Sequence, residues 1–410
     1  MTYKTDKWFV SPWNYEDEVR KQLNFADKIE LHDVTLRDGE QQTGVVFKKD
    51  DKIAIAEKLA EAGVHRIEAG MPAVSKDDEA AIKEIVKRNL GPKIFAFGRC
   101  MIDDVKRAVD CGVDGIVVEV PSSEHVIKHA YKWPLEKAVD LSIKATRYAK
   151  ENGLYTVFFP IDGTRADIEW FLTLIERIAE EGHMDALAVV DTFGGCSPHA
   201  MPYLMKKIKQ RINKPLETHF HDDFGLASAN TILGLAAGAN VAHTTVSSMG
   251  ERAGNASYED VTMALLTMYG VDIGIKTEKM YGISKMVRHL AGMSIRNNRG
   301  IVGDSIFKVE SGIVAGWAKN CGMENVLELF PYRWDLVGHD PYEVVLGKNS
   351  GGDSVKIWLE RLGKTGSNNS NLVVSEDKIL EIVQKVKEQS FKNKGLLSLS
   401  EFEIILNNSL

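Results

Sequence analysis

Between residues 29 and 270 the chain alternates short apolar runs with longer stretches of helical spacing. Apolar segments at 29–34, 66–69, 93–97, 115–120, 155–159, 186–190, 216–219 and 241–246 predict strands. Each leads into a stretch whose apolar residues recur every three or four positions. These stretches, at 50–62, 76–89, 102–111, 135–152, 168–180, 199–211, 227–237 and 258–268, predict helices. A repeat of about 30 residues is the length that a parallel strand and its crossover helix require. Gly63, Gly112, Gly153, Gly182 and Gly238 stand where helices should end, so each is expected to take positive φ. Eight such units in unbroken series favour an α/β fold of the closed (β/α)8 TIM-barrel type over an open doubly wound sheet. The first strand is followed by no Gly-x-Gly-x-x-Gly, which also counts against a dinucleotide fold.

The flanks read differently. Residues 1–28 are polar and aromatic (Trp8, Phe9, Trp13, Tyr15), an extension expected to pack on another surface, such as a second subunit. After 270 a helical stretch at 275–295 gives way to Asn297-Asn298-Arg299-Gly300 and Gly303, then to Gly-rich segments and a final helical pair near 376–388 and 398–406. The expected organisation is therefore an extension at 1–28, a barrel at 29–270 and smaller helical subdomains at 271–410. The polar run at 364–371 (KTGSNNSN) is the best candidate for a mobile loop.

Composition narrows the function. Apolar content of 44% and charged content of 27% are ordinary for a globular protein. A net charge of −7 without a dense basic run gives no support to a nucleic-acid or membrane partner. Four scattered cysteines without Cys-x-x-Cys argue against a disulfide framework or structural zinc and suit a reducing cytoplasm. The N-terminus carries early acidic residues and no apolar core of a signal peptide. No apolar run approaches the ~18 residues of a membrane span.

Chemistry concentrates at the predicted strand tips. His219 and His221 flank Phe220 at the end of the seventh strand, where side chains at i and i+2 share a face. They are either a pair of metal ligands or two ordinary strand histidines. The segment 35–42 (TLRDGEQQ) follows strand one, and 247–255 (SSMGERAGN) follows strand eight. Closure sets strand one beside strand eight with strand seven next, so Asp38, His219, His221 and Asn255 are expected to converge. Such a set with open water positions suits octahedral Mn²⁺, Mg²⁺ or Fe²⁺ and admits Zn²⁺. Arg37–Asp38 alone would otherwise read as a surface ion pair. Arg99 and Arg165, after strands three and five, are candidates to grip a carboxylate bidentately. His125 and His129 share a helical face, Ser122-Ser123 would bind substrate or cap a helix, and Cys196 reads as packing.

Three separated motifs, Thr-Leu-Arg-Asp-Gly-Glu-Gln at 35–41, His-x-His at 219–221 and Gly-Glu-Arg-Ala-Gly-Asn at 250–255, together resemble the DRE-TIM metallolyase superfamily. Its members include isopropylmalate, homocitrate and citramalate synthases, hydroxymethylglutaryl-CoA lyase and the pyruvate carboxylase carboxyltransferase domain. The likeness spans roughly residues 28–360 and includes Ile67-Glu68-Ala69-Gly70-Met71-Pro72, Asp191-Thr192-Phe193-Gly194 and Leu346-Gly347-Lys348-Asn349-Ser350-Gly351, with the synthase branch nearest. The resemblance implies metal ligation by Asp38, His219 and His221, with Asn255 as a weaker fourth ligand. It puts Arg37 over a substrate oxygen, Gln41 along the pocket, Glu40 behind the metal shell and Thr192 on the carboxylate of a 2-oxo acid. It further implies acetyl-CoA as a co-substrate and a homodimer. The chain ends too early for the regulatory domain of feedback-controlled isopropylmalate synthases, so none is expected.

Two positions depart from the synthase pattern. Where that branch carries Ser-x-Glu-Asp after strand five, this chain has Phe159-Pro160-Ile161-Asp162, so Ile161 replaces a catalytic glutamate. Where it carries Gly-Ile-His, this chain has Gly312-Ile313-Val314, so Val314 replaces a catalytic histidine. Neither side chain moves a proton. Three readings follow. One is condensation of an acyl-CoA with a 2-oxo acid, using Asp162, His32 or water as base. The others are a metal-dependent lyase or aldolase on a 2-oxo or 2-hydroxy acid, and a non-catalytic metabolite-binding relative.

Overall fold

Strand β1 (Glu30–Asp33) pairs with β2 (Arg66–Glu68) on one side and β8 (Val241–Thr244) on the other, and the second pairing closes the sheet. Between them run β3 (Lys93–Arg99), β4 (Gly115–Pro121), β5 (Tyr155–Ile161), β6 (Ala186–Asp191) and β7 (Leu216–Phe220), all parallel and in sequence order. The protein is thus a (β/α)8 barrel followed by a helical C-terminal region, as the eightfold alternation predicts. The computed structural model describes residues 2–364 and 374–410. The candidate mobile loop at 364–371 therefore lies, beyond Lys364, outside the described residues.

Helices α1 (Lys49–Ala62), α2 (Lys76–Arg88), α3 (Ile102–Cys111), α4 (Leu135–Glu151), α5 (Ile168–Glu181), α6 (Met201–Arg211), α7 (Ala227–Ala236) and α8 (Tyr258–Ala264) follow the strands in turn. Their starts are capped where the sequence offers an oxygen. Ser75 accepts from Asp78 N–H, Asp167 from Glu169 and Trp170 N–H, and Ser257 from Asp260 N–H. Four of the five expected glycine ends have positive φ. Gly182 does not, with φ −102°. It is needed there for space, since a Cβ would lie 2.8 Å from Thr146 Oγ1 and 2.9 Å from the Ile178 carbonyl.

The barrel interior is divided. Phe95, Phe97, Val117, Val157, Phe159, Ala186, Ala188 and Val190 fill the side built by β3 to β6. The side built by β7, β8, β1 and β2 carries buried His219, Glu217, His243, His32, Arg66 and Glu68 instead. These charges are paired: Arg66 Nη1 lies 2.8 Å from Glu217 Oε1, and Glu217 Oε2 lies 2.8 Å from His243 Nε2. Pairing is what allows buried ionic groups to persist, because an isolated buried charge costs several kcal/mol, roughly, in desolvation.

Two compact units emerge. The barrel unit covers 12–295, so it runs past the boundary expected at 270. The extra helix α9 (Met280–Leu290) packs against α1, and Ser284 shares a 2.7 Å hydroxyl contact with Ser247 in the loop after β8. The second unit covers 296–410 together with 2–11. Part of the aromatic N-terminus therefore packs on its own chain. Phe9 N–H donates to Pro331 O at 2.9 Å, Arg333 N–H to Lys7 O at 2.9 Å, and Lys7 pairs with Asp335 at 2.7 Å. Helices α10 (Gly312–Cys321), α11 (Gly352–Arg361), α12 (Glu376–Asn393) and α13 (Leu399–Asn407) surround a core that includes Val355, Trp358, Ile382 and Phe402. Among the described residues no helix is long and apolar enough to cross a membrane.

Candidate active site

The loop after β1 is pinned before it reaches the mouth. Asp33 accepts from Thr35 N–H at 2.9 Å, and Thr35 Oγ1 accepts from Val246 N–H at 2.9 Å, which ties the loop to the one after β8. Buried Lys52 of α1 pairs with Glu40 at 2.6 Å and with Asp78. Glu40 also accepts from Phe47 N–H at 2.8 Å. Both Glu40 oxygens are thus engaged, and Glu40 anchors the loop.

This anchoring aims Asp38 at β7. Its Oδ2 lies 3.4 Å from His219 Nε2 and 3.9 Å from His221 Nε2, while Oδ1 accepts from Asn255 Nδ2 at 2.7 Å. The loop after β8 runs along the end of β7: Ala256 N–H donates to Phe220 O at 3.1 Å and Asp222 N–H to Gly254 O at 2.9 Å, so Asn255 sits beside His221. Gly250, at φ 148°, makes the approach possible. A Cβ there would clash with the Asn255 amide and lie 2.9 Å from Asp38 Oδ1.

His219 Nδ1 faces His243 Nδ1 at 3.3 Å, which leaves Nε2 directed at Asp38. Burial pushes the His219 imidazole down to about 3 against the opposing pull of Asp38, and burial also lowers His221, so both rings are neutral. Burial alone would raise Asp38, but the adjacent Arg37 guanidinium holds it well below the usual carboxylate range. One ligand atom from each of Asp38, His219 and His221 lies within 4.8 Å of the others. Buried His219 Nε2, His221 Nδ1 and Asn255 Oδ1 have no hydrogen-bond partner among the described residues. Three orphaned acceptor-capable atoms around one ionised carboxylate fit a divalent cation, because burying them without one would cost free energy.

Arg37 completes this cluster. It binds Glu68 through Nε, Asp38 through Nη1 at 2.7 Å and Gln41 at 3.2 Å, and its guanidinium lies 3.9 Å from the Phe97 ring centre. Buried Nη2 has no partner, so one strong donor remains for an anion.

The other expected residues form separate groups. Asp162 accepts from Arg165 Nε at 2.6 Å and Nη2 at 3.0 Å and from Ser123 Oγ at 2.6 Å, and lies 3.0 Å from His125 Nε2. Both oxygens of Asp162, one of the groups expected as a base, are thus engaged by neighbouring side chains. Arg165 and Arg99 are correspondingly committed. Arg165 grips Asp162, and Arg99 binds Asp104 at 2.8 and 3.0 Å. His32 is closed off inside the barrel, stacked on His243 at 4.4 Å. His125 is taken by Asp162 and His129 is exposed. Thr192 Oγ1 accepts from Asp162 N–H at 2.8 Å, leaving its own proton to donate. Lys52, Glu217 and His243, which hold the cluster from behind, were not singled out from the sequence, and Glu68 entered only within the motif at 67–72. Their signal was a charge at a strand or helix position that should be apolar.

The parallel eight-stranded barrel thus brings a carboxylate and two neutral imidazoles together at its C-terminal mouth, where (β/α)8 barrels carry their active sites. The chain belongs to the HMGL-like family, whose profile matches residues 28–287, and that family uses a divalent metal. Within it the chain is of the 2-isopropylmalate synthase-like type. Homocitrate synthase AksA of Methanothermobacter thermautotrophicus is 38% identical over 388 residues, 95% of each chain. The 2-isopropylmalate synthase of Methanocaldococcus jannaschii is 36% identical over 92% of this chain and 72% of its own. In fold, HMG-CoA lyase of Bacillus subtilis superposes with a TM-score of 0.61 at 22% identity, covering 67% of this chain and 97% of that one.

Proposed function

We propose that the protein condenses an acyl-CoA, acetyl-CoA in the simplest case, with a 2-oxo acid. The observation that carries this reading is the buried Asp38–His219–His221–Asn255 set with its orphaned atoms, joined to an Arg37 that keeps one donor free. The synthase names of its sequence relatives agree with it. A divalent metal, Mn²⁺ or Mg²⁺ by ligand type, held by those four residues would polarise the 2-oxo carbonyl and offset charge on its oxygen. Arg37 Nη2 donates to the same oxygen as charge grows there, in a site closed enough for that donor to count for more than in water. Thr192 donates its hydroxyl to the substrate carboxylate, and Gln41 lines the pocket beside Arg37. Glu40 acts at one remove, through Lys52.

The bonds balance simply. A C–H bond beside the thioester breaks, its electron pair joins the C2 carbon of the 2-oxo acid, and the carbonyl becomes a hydroxyl. Water then cleaves the thioester and CoA leaves. A second reading, a lyase or aldolase acting without CoA, draws on Ile161 and Val314. Ile161 packs on the apolar side of the barrel, and Val314 packs on the core of the second unit.

NMR of the Mn²⁺-loaded protein with a panel of 2-oxo acids, with and without acetyl-CoA, separates the two. Free CoA that appears with a particular 2-oxo acid and vanishes in Asp38→Asn is the expected result. Metal-dependent α-proton exchange or carbon–carbon cleavage without CoA would replace condensation by the second reading.

A further inference from the structure

Glu119 is a carboxylate near the barrel mouth that none of these roles uses. Glu119 lies near the end of β4, in register with Arg99 of β3 and Phe159 of β5. Val117, two residues earlier, belongs to the apolar interior, and side chains at i and i+2 share a face. Glu119 therefore projects into the barrel, one layer nearer the mouth. The Arg37 guanidinium occupies that region, 3.9 Å from the Phe97 ring centre and 5.7 Å from that of Phe159, and His219 meets Phe159 edge-on at 4.8 Å. The other interior carboxylates, Glu68 and Glu217, are ion-paired. The Glu119 carboxylate has neither a hydrogen bond nor an ion pair among the described residues, and the residue is only partly buried.

The neighbouring strand supplies the contrast. Ile161, two residues beyond Phe159 on β5, packs on the same interior cluster and is in register with Pro121 of β4. It stands where the synthase pattern has a carboxylate. At the tip of β5 the Ile161 position thus carries no acid and the following Asp162 is fully engaged, while the adjacent β4 carries a carboxylate without a hydrogen-bond partner.

We infer that Glu119 is the proton-transfer residue of this site, taking the place of the carboxylate that β5 lacks at Ile161. The inference rests on the condensation reading. The C–H bond beside the thioester breaks, its proton goes to Glu119, and its electron pair forms the bond to C2 of the 2-oxo acid. The carbonyl π pair moves to oxygen, and Glu119 returns the proton there. Thioester hydrolysis follows with water. In the cleavage direction the same carboxylate takes the hydroxyl proton and returns it to carbon.

The charges around Glu119 suit this task. Burial pushes its carboxyl up to about 7. Arg37 and Arg99 oppose that shift, while Asp104 and Glu251 add to it, and the Tyr131 phenol also senses Glu119. A group that titrates near the working pH is the efficient proton carrier. As a base it must be ionised, so turnover should fall as pH drops below about 7.

Glu119→Gln in the full-length Mn²⁺-loaded enzyme tests this. Turnover should fall by about a hundredfold or more, as removal of a general base does, with exchange of the acetyl-CoA methyl protons into D₂O lost alongside. The KM for the 2-oxo acid and the Mn²⁺ affinity by calorimetry should stay within about threefold, and the acidic limb of the pH–rate profile should disappear. Turnover within about threefold of wild type, or an unchanged acidic limb, would overturn the assignment. If wild type releases no CoA but exchanges or cleaves a 2-oxo or 2-hydroxy acid, the condensation reading falls. Glu119 is then judged on that reaction, where loss in Glu119→Gln supports the role and retention refutes it. If wild type does neither, infrared difference titration of wild type against Glu119→Gln decides. A carboxyl titrating near neutrality supports a poised proton carrier, and its absence rejects one.

Discussion

Arg37 and Asp38 are adjacent in sequence yet serve opposite charges. Asp38 turns to the histidines, and Arg37 keeps one donor for an anion while its other nitrogens grip Glu68, Asp38 and Gln41. A lysine, with one point charge, could not reach all of these and cover the Phe97 ring. Below them His32 illustrates a buried imidazole that works by staying neutral. Burial first, then His243, lower it from 6.5 to about 4, against the pull of Glu68 3.2 Å away. In the unfolded chain it takes a proton near 6.5, while in the folded chain it refuses one until about 4. Across that window the unfolded state binds more protons, so stability falls as pH drops, by at most about 1.4 kcal/mol per pH unit from this proton. Denaturant titrations of metal-free protein from pH 7 to 4.5 should show that fall, and a His32→Asn variant should show a shallower one. Equal slopes in the two proteins would show that His32 contributes nothing to it.

Among the elements, the first βα loop is the one on which the site depends, and a single buried lysine organises it. Lys52 pairs with Glu40 and Asp78, and its Nζ lies 3.5 Å from the Leu36 carbonyl. Lys52→Met keeps the volume and leaves two carboxylates facing each other without a cation. Complete burial would put the loss at about 3–5 kcal/mol, but Glu40 and Asp78 retain 20% and 15% exposure, so about 2–3 kcal/mol is expected. Mn²⁺ affinity should weaken by about tenfold, as it does when a supporting residue behind a ligand is lost. Urea denaturation and calorimetry would measure the two effects, and an unchanged affinity would mean that the loop holds Asp38 without Lys52. The strands and helices themselves were legible in the sequence because their period is local. Which carboxylates were free was not. Asp162 lies close to Arg165 in sequence, but it also meets Ser123 and His125 from the β4 loop. Those contacts exist only once β4 and β5 are side by side. Glu119 was hidden for the converse reason: within an apolar run a lone charge reads as noise until its neighbours are known.

At the scale of the molecule, two cores divide the work. Asp38, His219, His221 and Asn255 all belong to the barrel unit, although they come from both ends of its sequence. Their convergence was legible because closure of a barrel follows from counting eight repeats. The extent of the units was not, since α9 belongs to the barrel unit through contacts with α1 and the β8 loop, and residues 2–11 belong to the second unit through partners some 320 residues away. The second core includes Phe402, fully buried with its ring 5.5 Å from that of Trp358. Phe402→Ala removes a whole ring from that core, and such truncations cost about 3–5 kcal/mol. Calorimetry should record the loss as a lower melting temperature. Because the variant leaves every proposed ligand and its supporting residues untouched, Mn²⁺ affinity of the folded protein should stay within about twofold. A loss of tenfold or more would mean that the ligand geometry depends on the second core, and the cation site would then have to be understood as a property of the whole chain rather than of the barrel.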